Sequence, residues 1–358
     1  MPRPAVEAAR EALQWKVAPH RIADDAFVEI PRRLRDALGR LIGAPAEDVI
    51  LGNSASYGLQ LLANGLPWQP RDEIVVVAGE FPATVFPWFT ARRYGATVRQ
   101  LRLDGELLSA DRLASELRPR TRAVALSWVR SLTGHVQELR SLGEVCADAG
   151  VHLIVNITQG LGALPFDVRD LKLAGVSSSG FKWLCGPYAT GFAWIRPDVR
   201  DSMLPVQSYW LALPDGATLD LNSEGEIEPR AGLGARAHDV FGTANFANFM
   251  PWLAAVEYLL EVGIEAIAAH DALLVDMLLS ALETRRWEIV SPHADETRSA
   301  IVVLRGQSQA QTERAAAALA AAGIDAARRA GAIRLSPHLY NTPSEIERTL
   351  EVLAGASV

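Results

Sequence analysis

Residues 173–187 read LAGVSSSGFKWLCGP and contain Lys182, one of only three lysines among 35 lysine and arginine residues. The segment 173–179 is short and consists of small or apolar residues and serines, which is typical of a buried strand. Similar strand patterns occur at 72–80, 122–128, 150–159 and 189–197. Helical patterns lie between the earlier strands, and strands that alternate with helices predict βαβ units in a mostly parallel sheet.

The sequence pattern changes near residue 250. A nearly continuous helical pattern over 251–284 is followed by alternating strand and helix patterns, which predict a smaller α+β unit. We therefore expect three regions along the chain. They are an N-terminal helix associated with the small domain (1–25), a large α/β domain (26–245), and a connecting helix with the small C-terminal domain (246–358).

The composition is that of an ordinary globular protein, with 49% hydrophobic and 22% charged residues. A formal net charge of -7 without a long basic run disfavours nucleic-acid binding. The two cysteines and seven scattered histidines match neither a disulfide framework nor a metal site. The N-terminus has the pattern of an amphipathic helix rather than a signal peptide, and no apolar run could span a bilayer. We expect a cytoplasmic protein without metal, membrane or nucleic-acid partners.

Lys182 stands out because this chain uses arginine at nearly every other basic position. A lysine amine can lose its proton and condense with an aldehyde, whereas a guanidinium cannot. The natural aldehyde cofactor is pyridoxal 5'-phosphate (PLP). A PLP site also needs a cradle for the phosphate, a partner for the pyridine nitrogen, a ring to stack on, and a group that binds the substrate carboxylate.

The segment 51–66, LGNSASYGLQLLANGL, is a candidate phosphate cradle. A turn rich in Gly, Asn and Ser leads into a helix, and the free backbone N–H groups at a helix N-terminus attract anions. Ser54, Ala55 and Ser56 lie at that end, and the hydroxyl of Ser179 precedes Lys182 by three residues. An ordinary helix N-cap is the alternative interpretation.

The other requirements also have candidates. Asn156 and Gln159 lie in the last part of the segment 150–159, at the carboxyl edge where parallel sheets bind ligands. Phe81 follows an earlier strand and is either a stacking ring or a core residue. Arg334 offers a bidentate fork for a carboxylate, although a lone arginine is more often a surface residue.

The segment VNITQGLGALPFDV (155–168), followed by SSSGFKWLCGPYATGFAWI (177–195), resembles the class V aminotransferase family of PLP enzymes. This family includes cysteine desulfurases, kynureninase-like enzymes and isopenicillin-epimerase-like proteins. Further blocks match in the same order at 79–88, 127–139, 241–246 and 333–353. The resemblance covers nearly the whole chain. It implies a fold-type-I PLP-dependent transferase, with a large, mainly parallel α/β sheet domain and a smaller C-terminal α+β domain.

The resemblance implies a role for each matching residue. Lys182 is expected to be the Schiff-base lysine, and Gln159 to donate to the ring oxygen of the cofactor. A homodimer with shared active sites is implied, in which Thr243 reaches the phosphate bound by the neighbouring subunit. The remaining expected contacts are stacking by Phe81, phosphate binding by Ser54, Ala55, Ser56 and Ser179, and binding of the substrate carboxylate by Arg334.

The sequence departs from the family pattern at four places. The pattern has aspartate where this chain has Asn156, and many relatives carry histidine where it has Phe181. No cysteine follows Cys185, although cysteine desulfurases need a nucleophilic cysteine in the C-terminal part. The short extended segment with which relatives usually begin is not recognisable. The neutral amide of Asn156 predicts a weakened electron sink, and the missing cysteine disfavours desulfuration through a protein persulfide.

These features predict an enzyme that acts on an amino acid or an amino-acid-derived metabolite through a Schiff base on Lys182. Because the electron sink is weakened, we favour lyase-like elimination or another transformation at the α-carbon. An aminotransferase, an epimerase and a non-catalytic partner protein with this fold are the open alternatives. Tyr209, Trp210 and His238 are candidates for lining the pocket, with a structural role as the alternative.

Overall fold

The structure, a computed structural model, describes residues 1–103, 107–206, 232–242, 245–282 and 284–356. Its described part contains two sheets, one of seven strands and one of four. Among the residues described, no helix is long and apolar enough to cross a membrane.

The strands of the seven-stranded sheet are β1 (Val49–Gly52), β2 (Glu73–Val77), β3 (Thr97–Leu101), β4 (Thr121–Ser127), β5 (His152–Asn156), β6 (Gly175–Ser179) and β7 (Gly191–Ile195). Their order across the sheet is β1-β7-β6-β5-β4-β2-β3. Five neighbouring strands, β2 to β6, run parallel, whereas β7 is antiparallel to β6 and β1 is antiparallel to β7. The predicted mostly parallel sheet is thus confirmed.

Two of these strands have no counterpart in the sequence prediction. β3 is the edge strand, and its first four residues are exposed or half-buried, so it lacks the continuous apolar run of a central strand. β1 is only four residues long and leads directly into the Gly/Asn/Ser turn. The helices before the connecting segment are α1 (Arg3–Val17), α2 (Ala26–Ile42), α3 (Ala55–Gly65), α4 (Pro82–Val85), α5 (Ala110–Glu116), α6 (Leu139–Asp148) and α7 (Pro197–Ser202).

The connecting segment consists of two helices, α8 (Phe246–Val262) and α9 (Ile264–Ala281). The predicted helical stretch is interrupted only at Gly263 among its described residues up to Ala281, because a φ of +89° breaks the helical backbone there. The N-terminal helix α1 packs on α8, and the rings of Trp15 and Phe246 meet edge to face at 5.4 Å. The first helix of the chain therefore packs on the first helix of the connecting segment.

The strands of the small sheet are β8 (Trp287–Ile289), β9 (Val302–Gly306), β10 (Ala327–Arg329) and β11 (Ala332–Leu335), and the helices packed on it include α10 (Gln309–Ala321) and α11 (Pro343–Ala356). The sheet is antiparallel, with the strand order β10-β11-β9-β8. A separate apolar core lies between this sheet and the helices α9, α10 and α11.

The small domain packs closely on the loop after β4. The hydroxyl of Ser291 donates to the carbonyl of Thr133 (2.8 Å), and that of Ser299 donates to the carbonyl of Gly134 (2.7 Å). Gly134 has φ +77°, and a Cβ there would lie 2.5 Å from the carbonyl oxygen of Ile301. This close approach places β11 beside the carboxyl edge of the large sheet.

Candidate active site

The candidate site lies at the carboxyl edge of three neighbouring parallel strands. β4 ends at Ser127, β5 at Asn156 and β6 at Ser179. Ser127 and Asn156 are partners in the strand register. Because the carboxyl ends of parallel strands meet at one edge, the polar strand-end residues and Lys182, three residues beyond β6, come together there.

Lys182 lies on a tightly held loop next to an aromatic ring. Its Nζ is 5.3 Å from the ring centroid of Phe81, which is 44% exposed and therefore not a core residue. Burial, together with the positive charges of Arg334 and Arg329, lowers the pKa of Lys182 to about 8. At Gly180 a Cβ would lie 2.5 Å from Thr190 Oγ1, so the chain segment that leads into Lys182 is closely packed.

The Gly/Asn/Ser turn packs against the end of β6. Ser54 caps α3, and its Oγ accepts a hydrogen bond from the backbone N–H of Tyr57 (3.2 Å). The backbone N–H of Ala55 donates to Ser179 Oγ (3.2 Å), so the hydroxyl hydrogen of Ser179 is available to another acceptor. Ser56 is exposed in the first turn. The turn therefore presents hydroxyl groups and the positive end of a helix at the predicted place.

Asn156 is buried and begins a chain of hydrogen bonds. Its Nδ2 donates to Thr84 Oγ1 (3.0 Å), which lies 3.1 Å from Ser127 Oγ, and the Ser127 hydroxyl donates to a carboxylate oxygen of Glu80. Because Ser127 has given its hydrogen to Glu80, Thr84 must donate to Ser127. Asn156 Oδ1 accepts from the backbone N–H two residues later (3.1 Å), which fixes the orientation of the amide.

Glu80 ends this chain as a half-buried carboxylate. Burial raises the pKa of Glu80 above its ordinary value, although hydrogen bonds from the hydroxyl and backbone N–H of Ser127 and the charge of Arg130 oppose the shift. Two hydroxyl groups therefore separate a carboxylate from the amide at position 156.

Arg334, on β11, faces the site from the small domain. Its Nη1 donates to the carbonyl of Ser131 (3.2 Å). Its Nε and the hydroxyl of Ser131 are both buried, and neither has a hydrogen-bond partner among the described residues. Burial lowers the pKa of Arg334, and the neighbouring Arg329 adds to this effect. Buried polar groups without partners are costly, so this part of the site is suited to an anionic ligand.

A second contact joins the small domain to the lysine loop. His338 Nδ1 lies 2.9 Å from Asp271 Oδ2, and its Nε2 lies 3.1 Å from the carbonyl oxygen of Trp183. Burial disfavours a charged imidazole, but Asp271 and Cys185 outweigh it and raise the pKa of His338 to about 9. The protonated imidazole donates to both oxygens and holds Trp183, the residue after Lys182.

Two of the remaining predicted site residues, Gln159 and His238, lie in the described part of the structure. Gln159 is buried three residues after β5. His238 is half-buried beside α3, where its carbonyl accepts a hydrogen bond from the hydroxyl of Tyr57 (2.7 Å). Thr243, Tyr209 and Trp210 lie outside the described residues.

Sequence reasoning missed the partners of the predicted residues. Ser127 is the last residue of β4, so the strand-end rule that selected Asn156 applied to it equally. Thr84 and Glu80 flank Phe81 within four residues, but the sequence holds no sign of their link to Asn156. Arg329 and His338 lie near Arg334 in the chain, but only the fold of the small domain brings His338 to the carbonyl of Trp183 and the charge of Arg329 near enough to affect Lys182.

The arrangement fits PLP. It combines a lysine of lowered pKa beside an aromatic ring, hydroxyl groups at a helix N-terminus, a buried amide at a strand end, and a half-buried arginine whose buried Nε lacks a partner among the described residues. Each is one of the groups that the cofactor and an amino-acid substrate require. Among the residues described, no cluster of three or more potential metal ligands occurs.

Comparison with known proteins agrees with this chemistry. The family model for aminotransferase class-V matches residues 1–349. The chain is 26% identical to a probable cysteine desulfurase of Methanothermobacter thermautotrophicus, over 99% of this chain and 92% of the relative. It is 27% identical to the isopenicillin N epimerase of Streptomyces clavuligerus, over 91% of this chain and 85% of the relative.

Solved structures share the fold. A cysteine desulfurase from Thermococcus onnurineus superposes with a TM-score of 0.84 at 22% identity and covers 99% of this chain and 91% of its own. A cystine C–S lyase, solved with its product cysteine persulfide, gives a TM-score of 0.88 at 24% identity, with 99% and 94% covered. The fold-type-I architecture inferred from the sequence is confirmed. The chain belongs to the class-V aminotransferase family of PLP-dependent enzymes.

Proposed function

We propose that this protein is a PLP-dependent lyase that eliminates a β-substituent from a small amino acid. In this reaction the Cα–H bond and the bond from Cβ to the leaving group break, and the leaving group takes the electron pair. The resulting dehydroamino acid reacts with water to give a 2-oxo acid and ammonium. The observation that carries the proposal is Lys182, whose Nζ lies 5.3 Å from the centroid of the Phe81 ring and whose pKa is lowered by burial and by the charge of Arg334.

Several residues of this chain would hold the cofactor. Lys182 would bind it covalently, the Phe81 ring would stack on it, and Gln159 would donate to its ring oxygen. When bound, PLP withdraws electrons from the bonds at the substrate α-carbon. The phosphate would be bound by Ser54, Ala55, Ser56 and Ser179 and, in a homodimer with shared sites, by Thr243 of the neighbouring subunit.

Lys182 can also carry the proton that the elimination moves. With a pKa of about 8, a substantial fraction of its amine is neutral near physiological pH. Binding of the substrate carboxylate to Arg334 would neutralise one of the two charges that lower this pKa. The proton affinity of Lys182 would then rise when substrate is bound, which favours removal of the Cα proton at that moment.

Asn156 supports elimination over transamination. Its amide has a hydrogen to spare for an unprotonated ring nitrogen but carries no negative charge to stabilise a protonated one. Elimination tolerates a weak electron sink because the leaving group removes the electron pair. Since no cysteine follows Cys185, a sulfur leaving group would depart into solvent rather than onto the protein.

The test uses purified protein incubated with PLP. We expect a visible absorbance band that borohydride reduces, and 2-oxo acid formation from S-substituted cysteines. Lys182→Ala should lose the band and at least about a hundredfold in activity, as expected for loss of a general acid–base group. Lys172→Ala is the matched control and should retain both. A coloured protein that transfers amino groups to 2-oxo acids but releases none from these substrates would contradict elimination.

A further inference from the structure

We propose that the substrate carries a second anionic group besides its α-carboxylate, and that Arg329 on β10 binds it. This inference rests on the proposed function, because it assumes that an amino acid binds between Lys182 and Arg334. It adds a substrate class, namely amino acids with an acidic side chain or an acidic substituent.

The hairpin register places the two arginines on one face. β10 and β11 are joined by Ala330 and Gly331, both with positive φ (+48° and +73°), as a two-residue hairpin turn requires. The register pairs Arg334 with Ala327 and Arg329 with Ala332. Because alternate residues share a face, the side chains of Arg329 and Arg334 are diagonal neighbours, with backbones about 7–8 Å apart.

The intervening arginine provides the contrast. Arg328 lies on the opposite face, paired with the buried Ile333, and its guanidinium lies 3.6 Å from the carboxylate of Glu313. No carboxylate of the described residues lies within ion-pair distance of Arg329 or Arg334. The face of the hairpin that holds Arg334 therefore carries two cations that no protein carboxylate in the described part neutralises. Arg329 is exposed, and its Nη1 donates to the backbone carbonyl of Arg328 (2.9 Å), which leaves its other N–H groups for a ligand.

One carboxylate does not satisfy both cations. A bidentate contact with the α-carboxylate would use the fork of Arg334, including its buried Nε. Arg329 would remain charged, close enough to Lys182 to contribute to its lowered pKa. A second anionic group reaching from the substrate side chain would neutralise it, whereas a neutral side chain would leave the repulsion in place.

The experiment measures ligand affinity rather than turnover. The PLP-loaded protein is titrated with L-glutamate and with its neutral isostere L-glutamine, and the change in cofactor absorbance gives each Kd. We expect L-glutamate to bind about ten- to a hundredfold more tightly, the range of a charge-assisted hydrogen bond. Arg329→Gln should abolish the preference by weakening the binding of L-glutamate far more than it changes the binding of L-glutamine. Arg328→Gln should retain the preference.

Two results would overturn the inference. Equal affinity of the wild-type protein for the two ligands would mean that no second anion site exists, even if Lys182 holds PLP. An equal loss of preference in Arg328→Gln would reduce the effect to overall charge. Calorimetric titration of the PLP-free protein with glutarate and glutaramate, an acid–amide pair without an amino group, applies the same criterion if PLP is not taken up. Absence of a glutarate preference there also contradicts the inference.

Discussion

The two sides of Lys182 are built differently. On the large-domain side, the amide of Asn156 and the carboxylate of Glu80 are joined through two hydroxyl groups, and their polar atoms have partners. On the small-domain side, the Nε of Arg334 and the hydroxyl of Ser131 are buried and lack partners among the described residues. The first side is held together by hydrogen bonds within the protein and keeps one amide hydrogen of Asn156 for a ligand, whereas the second leaves buried polar atoms without any partner in the described part.

Removing the charge of the small-domain side should have the largest effect. Arg334→Gln loses a bidentate contact with the substrate carboxylate, so we expect its affinity for amino acids to fall roughly a hundredfold. The same change removes the larger of the two charge effects that lower the pKa of Lys182, so this pKa should rise towards its ordinary value. The measurements are ligand Kd and the pH dependence of PLP capture by the PLP-free protein.

The pH dependence has a defined sign. Only the neutral amine reacts with the aldehyde, so the capture rate of the wild type should increase as pH rises through about 8. In Arg334→Gln the same increase should occur at higher pH. Arg328→Gln, which alters a cation on the opposite face of the hairpin, should leave the profile unchanged. An unchanged profile in Arg334→Gln would mean that the charge of Arg334 does not contribute to the lowered pKa of Lys182.

The sequence predicted the large-domain side better than the small-domain side, for a physical reason. Asn156 and Ser179 are the last residues of buried strands and Lys182 follows one of them, and the parallel sheet alone brings strand ends to one edge. The hydrogen bond between Asn156 and Thr84 spans 72 residues and depends on the position of a one-turn helix, which no local pattern fixes. The face that Arg329 presents depends on the register of a hairpin, which a shift of one residue would reverse.

A count of hydrogens explains how asparagine fits the large-domain side. The chain from Asn156 to Glu80 has three links, and these need three donor hydrogens. Asn156, Thr84 and Ser127 supply one each. An aspartate at 156 supplies none, so two hydroxyl hydrogens would have to serve three links between two carboxylates.

Asn156→Asp therefore tests this side, with an intermediate effect. We expect about 1–3 kcal/mol lower stability towards urea, because one buried link is lost. In the PLP-loaded variant, the ¹⁵N chemical shift of the labelled ring nitrogen should move towards the protonated value, since a carboxylate now faces it. Asn156→Ala, which removes the contact without adding charge, is the control for the shift. An unchanged ring-nitrogen shift in Asn156→Asp would contradict the proposal that residue 156 sets the protonation of that atom.

The smallest and most specific effect is expected from combining Asn156→Asp with Glu80→Gln. The glutamine amide can donate to Ser127, which can then donate to Thr84, and Thr84 to the new carboxylate, so three hydrogens again serve three links in the reverse direction. The carbonyl of glutamine can still accept the backbone N–H of Ser127, which lies 3.1 Å from Glu80 Oε1. The double variant should regain about 1 kcal/mol of the stability lost by Asn156→Asp, measured as a coupling free energy in a double-mutant cycle. Glu138→Gln, which alters a helix-capping carboxylate elsewhere, should give no coupling with Asn156→Asp. If the two substitutions at 156 and 80 are simply additive, the four groups do not act as one chain, and Asn156 needs another explanation.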